Sequence, residues 1–399
     1  MGKKLTYQEI YHLIDEISRE KMSTILTTYF VAASFKEGFS NNELYFFTKA
    51  MVETGEKIKF DGIVADKHST GGVAGTRTTM LVVPIIAAAG FKIPKLSSRA
   101  ITSPCGTADA MEVLCSVTFT PSKVKKIVEK VNGCIVWNGM MGIAPADDII
   151  IEVEEPLSFE SFDKIIISIM AKKVAISTNH LILDIPVGPT MKIKRFSDAE
   201  KISKKFKLLA RKFDINLVVD INESLEPAGQ GVGPSLEVRD VLRVLEQDPN
   251  RPFKLEAKAL RLASKLLDIC YKSQKIKLDG QIEAQRILKS GLAIEKFFEI
   301  VHAQGGKRVA STSVKTAKFH TEINAPKKGK VVSVNNYNLN TIAKILGAPH
   351  DKYAGLYLIK RYDNLTEKNE VLAFFYSSDR YRLKEAIDST RYLPIYDIK

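Results

Sequence analysis

Asp66-Lys67-His68-Ser69-Thr70-Gly71-Gly72-Val73-Ala74-Gly75-Thr76-Arg77-Thr78 runs directly into the apolar stretch Met80 to Gly90 (MLVVPIIAAAG). Glycines, cations and hydroxyls packed together ahead of an apolar helix are the ingredients of an anion site. The glycines let backbone N–H groups turn toward an oxyanion, the helix N-terminus adds partial positive charge, and Lys67, Ser69 and Thr78 supply further donors. The loop is neither GxxxxGK[ST] nor GxGxxG. Taken alone, it also fits a surface loop whose glycines serve only turns.

Upstream of this loop the texture differs. Thr6 with Glu9 and Ser40 with Glu43 have capping-box spacing, each ahead of residues at helical periods, so the first fifty-odd residues read as helices, with Gly55 closing the second capped one. From Ile58 onward short β-type runs, glycine-rich turns and apolar helices set an α/β pattern. Phe162 to Lys173 reads as a helix able to rejoin the first helices in space, and Leu181 to Val187 as a strand. Ser235 to Glu246 and Leu255 to Tyr271 are helical by period, with Asp248, Pro249 and Pro252 between them. Past Gly305-Gly306, Lys330 to Val334 and Val371 to Tyr376 have strand character, and a last helix is capped near Ser378 or Asp379.

The expected class is therefore α/β: a small all-helical domain (1–57 with 147–176), a large α/β domain with a central mixed sheet (58–146 with 177–314), and a C-terminal α+β domain (315–399). No internal repeat or low-complexity run argues for a solenoid or a tail.

Composition narrows the function. The longest apolar run is far short of the about 20 residues that cross a bilayer, Pro84 interrupts it, and no signal-like segment opens the chain, so a cytoplasmic protein with no membrane partner is expected. Cys105, Cys115, Cys134 and Cys270 lack metal-ligand spacing and read as reduced, packed thiols. The formal net charge of +13 suits RNA or a small polyanion drawn into a basic cleft. Cations spread along the chain, with no zinc-finger or RNP-type motif, argue against nucleic acid.

A second polar segment, Leu96-Ser97-Ser98-Arg99-Ala100-Ile101-Thr102-Ser103-Pro104-Cys105-Gly106-Thr107-Ala108-Asp109, follows the apolar helix and can face the first loop across a phosphate. It also reads as a linker whose Ser103 or Thr107 caps the helix containing Met111 to Leu114. Together with Ser168-Ile169-Met170-Ala171-Lys172-Lys173, the two loops resemble the family of thymidine, pyrimidine-nucleoside and AMP phosphorylases, and the likeness runs through Gly233-Pro234-Ser235-Leu236-Glu237-Val238-Arg239 to the C-terminal part.

The resemblance implies phosphorolysis: inorganic phosphate as co-substrate, no other cofactor and no metal, attacks C1′ of the sugar as the base departs. It implies that Lys67, Ser69, Thr78, Ser97 and Thr107 line the phosphate. The thymidine type carries a glycine-rich, His-containing second loop and a Tyr-x-x-Arg-Asp element. Here Ser98 to Ser103 and Ile151 to Ser158 stand in their places, without the pyrimidine-reading Arg, and the former is similar to the AMP phosphorylase pattern.

Carried over by position, that pattern makes Gly72, Ser98, Arg99, Ala100, Ile101, Thr102, Ser103, Thr107, Ser168, Lys172 and Lys192 substrate contacts. A lone lysine such as Lys192 equally fits a solvated surface. Glu160 stands where such enzymes place an Asp proton donor, with Asp163 the nearest alternative; both also fit exposed carboxylates in a helix's first turn. His68 is a secondary catalytic candidate or a hydrogen-bonded structural residue.

The expected reaction is phosphorolysis of nucleoside 5′-monophosphates (AMP, CMP, UMP) to free base and ribose 1,5-bisphosphate. One alternative is a thymidine or pyrimidine-nucleoside phosphorylase, the other a non-catalytic nucleotide- or RNA-binding homologue. The chain starts at the helices rather than with the extra domain AMP phosphorylases carry, and the resemblance implies a homodimer through those helices.

Overall fold

Thr6 and Ser40 both act as their spacing predicts. In the computed structural model each hydroxyl accepts from the N–H three residues on, and the Glu9 or Glu43 carboxylate accepts in return from the cap's own N–H. The structure describes residues 4–100, 103–139, 141–157 and 161–399, with the side chains of 34–37 and 155–157 left aside. The capped helices are α1 (Tyr7–Ser18) and α3 (Asn41–Glu53), with α2 (Thr24–Glu37) between them. α3 stops at Glu53, two residues before Gly55. Ile10, Ile14, Leu44 and Phe47 pack with Ile150 of α7 (Pro145–Leu157) and with Ile166 and Met170 of α8 (Phe162–Ala175).

The central layer is built on β1 (Ala65–Ser69), β4 (His180–Val187) and β5 (Asn216–Glu223), all parallel. β2 (Ile93–Ser97) and β3 (Gly133–Trp137) form a second parallel pair. A parallel bridge from Val64 to Lys92 sets the two pieces side by side, in the order β3-β2-β1-β4-β5. A mixed sheet was expected; these pairings are all parallel, because each strand returns through a helix rather than a hairpin. Among the described residues antiparallel pairing lies outside this layer, in sheets where Val371–Ser377 lies between Phe319–Asn324 and Gly355–Leu358 and the last of these also pairs with Gly231–Val232.

The apolar helix is α4 (Thr79–Ala88), whose side chains from Met80 to Ala87 are all buried. It packs between the sheet and the helix Leu292–Ala303, and all-round burial explains why the segment shows no polar face. α9 (Phe196–Lys212), α10 (Pro234–Leu245) and α11 (Phe253–Ser273) flank the layer, α10 and α11 covering the two stretches read as helical. The last helix, Arg380–Ser389, is capped by Asp379, whose carboxylate accepts from Tyr381 N–H. No described helix is long and apolar enough to cross a membrane.

This strand order places a topological switch beside β1: the chain winds outward through β2 and β3, then returns to the other side at β4. Crevices at the carboxyl ends of strands at such a switch are where α/β sheets bind ligands. The loop from Thr70 to Thr78 leaves β1 at that point, and Lys67, His68 and Ser69, read from the sequence as loop residues, are the last three positions of the strand itself.

Candidate active site

A cleft of about 640 Å³ opens at the carboxyl edge of β1, β2, β3 and β4, walled on the far side by α7 and α8. It gathers Lys67, His68, Ser69, Gly72, Ser97, Ser98, Arg99, Ser103, Thr107, Ser168, Lys172 and Lys192, residues drawn from four separate stretches of chain. Three predicted positions, Ile101, Thr102 and Glu160, lie outside the described residues. Ala100 borders an adjoining hollow, which also touches Ser103, instead of the cleft itself. Thr78 is fully buried at the start of α4, with its hydroxyl hydrogen-bonded to nothing among the described residues.

The first loop owes its shape to backbone that only glycine adopts freely. Gly71 and Gly72 have φ of +82° and +83°. A Cβ on Gly72 would sit 2.7 Å from Cγ of Lys192, so the lysine stem lies directly over the glycine backbone. Asn336, fully buried in the C-terminal part, accepts from Ala74 N–H at 2.9 Å and donates to the carbonyl oxygen of Gly72. Arg77 pairs with the buried Glu237 and donates to the Thr107 hydroxyl at 3.2 Å, tying the first loop to the second. Burial opposes that guanidinium's charge, but Glu237 outweighs it and holds the Arg77 pKa above its usual value.

Asp109 closes the second loop. Its Oδ2 accepts from Ala100 N–H at 2.7 Å and Gly106 N–H at 2.8 Å, drawing the loop's two ends together. The cap of the short helix Thr107–Met111 is therefore Gly106, supported by Asp109, and neither Ser103 nor Thr107. A Cβ on Gly106 would meet the Arg99 carbonyl carbon at 2.5 Å, so this close approach requires glycine. Arg99 makes a bidentate pair with Glu112 at 2.7 and 2.8 Å and stacks over Trp137, 4.8 Å from the ring centroid.

Beneath the loops lies a buried set of charges. Lys67 reaches the Thr79 hydroxyl at 3.4 Å, and burial pulls its pKa down to about 8. Lys95, on β2, contacts Asp66 at 3.4 Å, and burial, outweighing Asp66, takes it down to about 7. Lys173, fully buried on α8, contacts the other Asp66 oxygen at 2.6 Å. His68 sits among these cations, and burial together with Lys173 and Lys95 holds its imidazole neutral, well below the usual range. On β4, Asp184 meets Lys258 at 3.3 Å and accepts from Asn222 at 2.7 Å; burial raises its carboxyl, yet Lys258 and Lys67 outweigh this and hold it low.

The α7–α8 wall is organised by Asp147, which is fully buried. It accepts from the Ser168 hydroxyl at 2.7 Å and contacts Lys172 at 2.6 Å, so one carboxylate fixes both residues of the Ser-x-x-x-Lys pair. Burial disfavours the charges, but each holds the other: Asp147 stays below its usual pKa and Lys172 above. Lys164 pairs with Glu154 on the same wall. Asp148, next along, is raised to about 6, mainly by burial. Asp163 does not line the cleft: it accepts from Phe39 N–H at 2.8 Å and pairs with Lys205, joining α8 to the turn before α3 and to α9.

Sequence reasoning passed over Lys95, Asn138, Glu154, Lys164, Asp184, Lys258 and Lys344, all of which line the cleft. Lys95 and Asp184 lie inside strands, and a charged residue in an otherwise apolar strand was the available signal. Lys258 and Lys344 come from distant helices and carry none. Among the described residues, no group of three or more His, Cys, Asp or Glu is placed to hold a metal ion.

A parallel α/β layer with a cationic cleft at its carboxyl edge defines the class, and residues 61–204 match the family model described as "Glycosyl transferase family, a/b domain". The chain is 41% identical over 398 residues to an AMP phosphorylase of Methanocaldococcus jannaschii, covering 100% of this chain and 78% of that protein. It is 39% identical to an AMP phosphorylase of Archaeoglobus fulgidus, covering 97% of this chain and 76% of that protein. A putative thymidine phosphorylase of Legionella pneumophila is 39% identical over 98% of this chain and 74% of its own length. The fold is also similar to the crystal structure of anthranilate phosphoribosyltransferase from Thermus thermophilus, with a TM-score of 0.63 at 16% identity, over 76% of this chain and 97% of that one. The chain belongs to the AMP phosphorylase and thymidine phosphorylase family. It is thus a pentosyltransferase, against the non-catalytic alternative.

Proposed function

We propose that this enzyme cleaves the N-glycosidic bond of nucleoside 5′-monophosphates with inorganic phosphate, giving free base and ribose 1,5-bisphosphate. The observation that carries this reading is charge: the described lining of the cleft holds seven lysines and two arginines against Glu154 and Asp184, and although Glu237, Glu112, Asp147 and Asp66 behind the lining pair with Arg77, Arg99, Lys172 and Lys95, an excess of cations remains. Two phosphate groups, the nucleophile and the 5′ substituent, call for such an excess, whereas with a nucleoside only the nucleophile is present.

A phosphate oxygen forms its bond to C1′ as the C1′–N bond breaks, and the electron pair leaves on the base, which takes a proton. Holding the anion against a developing oxocarbenium centre supplies most of what this reaction needs. Lys67, Ser69, Ser97 and Thr107 cradle the attacking phosphate. Lys192, lying over Gly72, takes the 5′-phosphate with Ser98 to Ser103, and Ser168 and Lys172 face the base. Glu160 is the proton donor, and His68, held neutral by burial and the surrounding lysines, serves as a hydrogen-bonding group of the cleft. Closure of α7 and α8 onto the α/β layer excludes water.

The test is base release from AMP, CMP, UMP, thymidine and uridine, each with and without phosphate. Phosphate-dependent release from a monophosphate is the expected result; thymidine cleaved far better than any monophosphate removes the reading. That second reading draws on the 39% identity to the putative thymidine phosphorylase. A cytoplasmic homodimer completes the proposal: Ile25 and Leu26 on α2 are 80% and 57% exposed, which suits a face covered by a second copy.

A further inference from the structure

The floor of the cleft does not balance its own charge. Lys67, Lys95, Lys173 and Lys258 are all buried there, and so are Asp66 and Asp184. Asp66 is shared between Lys95 at 3.4 Å and Lys173 at 2.6 Å, while Asp184 meets Lys258 at 3.3 Å. Four ammonium groups against two carboxylates leave two positive charges with no buried counter-ion in this set. Neighbouring carboxylates do not make up the difference, because Glu237 is engaged by Arg77 and Asp147 by Lys172. An uncompensated buried charge is expensive, and such a group either gives up its proton or waits for an ion of opposite sign. Two positive charges are the complement of one phosphate dianion.

We propose that Lys95 is a phosphate-binding residue of this cleft, and that phosphate entry is coupled to proton uptake by the buried lysines of its floor. This rests on the reading of the site as a phosphate-using one, and it names a residue that the two-loop pattern leaves out. Lys95 lines the cleft directly. The groups facing it are Asp66, Lys67 and His68 from β1, Cys134 from β3 and Lys173 from α8. Asp66 is the one carboxylate in that set, and Lys173 holds its other oxygen. Without an oxyanion Lys95 shares a single carboxylate with a better-placed competitor; with one, it gains a partner of its own. Burial already brings Lys95 to about 7 and Lys67 to about 8, so near pH 7.5 both are poised to take up a proton when an anion arrives.

The experiment is calorimetric titration of inorganic phosphate into the full chain at pH 7.5, in two buffers of different ionisation enthalpy. The expected result is uptake of up to about one proton per phosphate bound. Lys95→Met should weaken phosphate affinity at least tenfold. Lys95→Arg, which stays charged at every accessible pH, should keep affinity within a few-fold while losing more than half of the uptake. No buffer dependence in the unmodified chain overturns the proposal. So does unchanged affinity in the Met variant, or undiminished uptake in the Arg variant, which would locate the proton on a group other than Lys95. Should the Met variant fail to fold, the Arg variant decides alone. Base release is measured in parallel on the unmodified enzyme: failure there with phosphate uptake intact removes the nucleotide reading and leaves Lys95 in place.

Discussion

The two walls of the cleft hold their cations in opposite ways. Around the strands, Lys67 and Lys95, with Lys173 reaching in from the inner side of α8 and Lys258 from α11, outnumber Asp66 and Asp184; on the cleft-facing side of α7 and α8, Lys172 and Lys164 are each matched by Asp147 or Glu154. The contrast separates two tasks. A wall with surplus buried charge attracts an anion and pays in stability until it arrives, whereas a neutralised wall orients hydrogen-bonding groups toward an uncharged partner. A phosphate on one side and a base on the other fit that division.

The comparison breaks most visibly at Lys67. Replacing it with Ala should lower phosphate-dependent base release by about 10³-fold or more, in line with removing a principal charge-stabilising donor. A loss under tenfold would mean that the strand wall does not hold the nucleophile. Next in size is the proton donor: Glu160→Gln should cost roughly 10²–10³ in kcat. Asp163→Asn, by contrast, should leave kcat within a few-fold and lower the melting temperature, since Asp163 ties α8 to Phe39 and Lys205. The reverse ranking would exchange their roles.

On the helix wall, Asp147→Asn should reduce kcat/KM about 100-fold by freeing both Ser168 and Lys172. It should also destabilise the fold by about 3–5 kcal/mol, because a buried lysine loses its counter-ion. Leu in place of Asp147 should be no better, and steady-state kinetics beside thermal melts would show it. The smallest effect is expected at Lys192. Lys192→Ala should raise KM for monophosphates about tenfold while leaving KM for phosphate nearly unchanged, and equal shifts in both would move Lys192 to the nucleophile.

Much of the architecture was legible because local chemistry and tertiary packing agree. The capping boxes at Thr6 and Ser40, the all-apolar α4 and the strand at Leu181 each state their structure within a few residues. The parallel pairing of the central layer was not legible, since an apolar run of five residues looks the same beside a parallel or an antiparallel neighbour. Both polar loops could be read as facing one anion, and they do line one cleft. The cap at Gly106 was misjudged because Asp109 supplies the hydrogen bond that a hydroxyl cap normally would. The charge surplus below the loops was hidden too: Lys95, Asp66 and Lys173 are far apart in sequence and meet only when β1, β2 and α8 have come together.

Asn336 adds a constraint from a distance. Its side chain clasps the backbone at Gly72 and Ala74, more than 260 positions earlier in the chain. The strands around β1 pair without Asn336, whereas the loop at their edge is held in its shape by it. The glycine backbone at the edge of the cleft is thus held by a side chain from a distant part of the chain, and a change at Asn336 reaches the cleft without touching its lining.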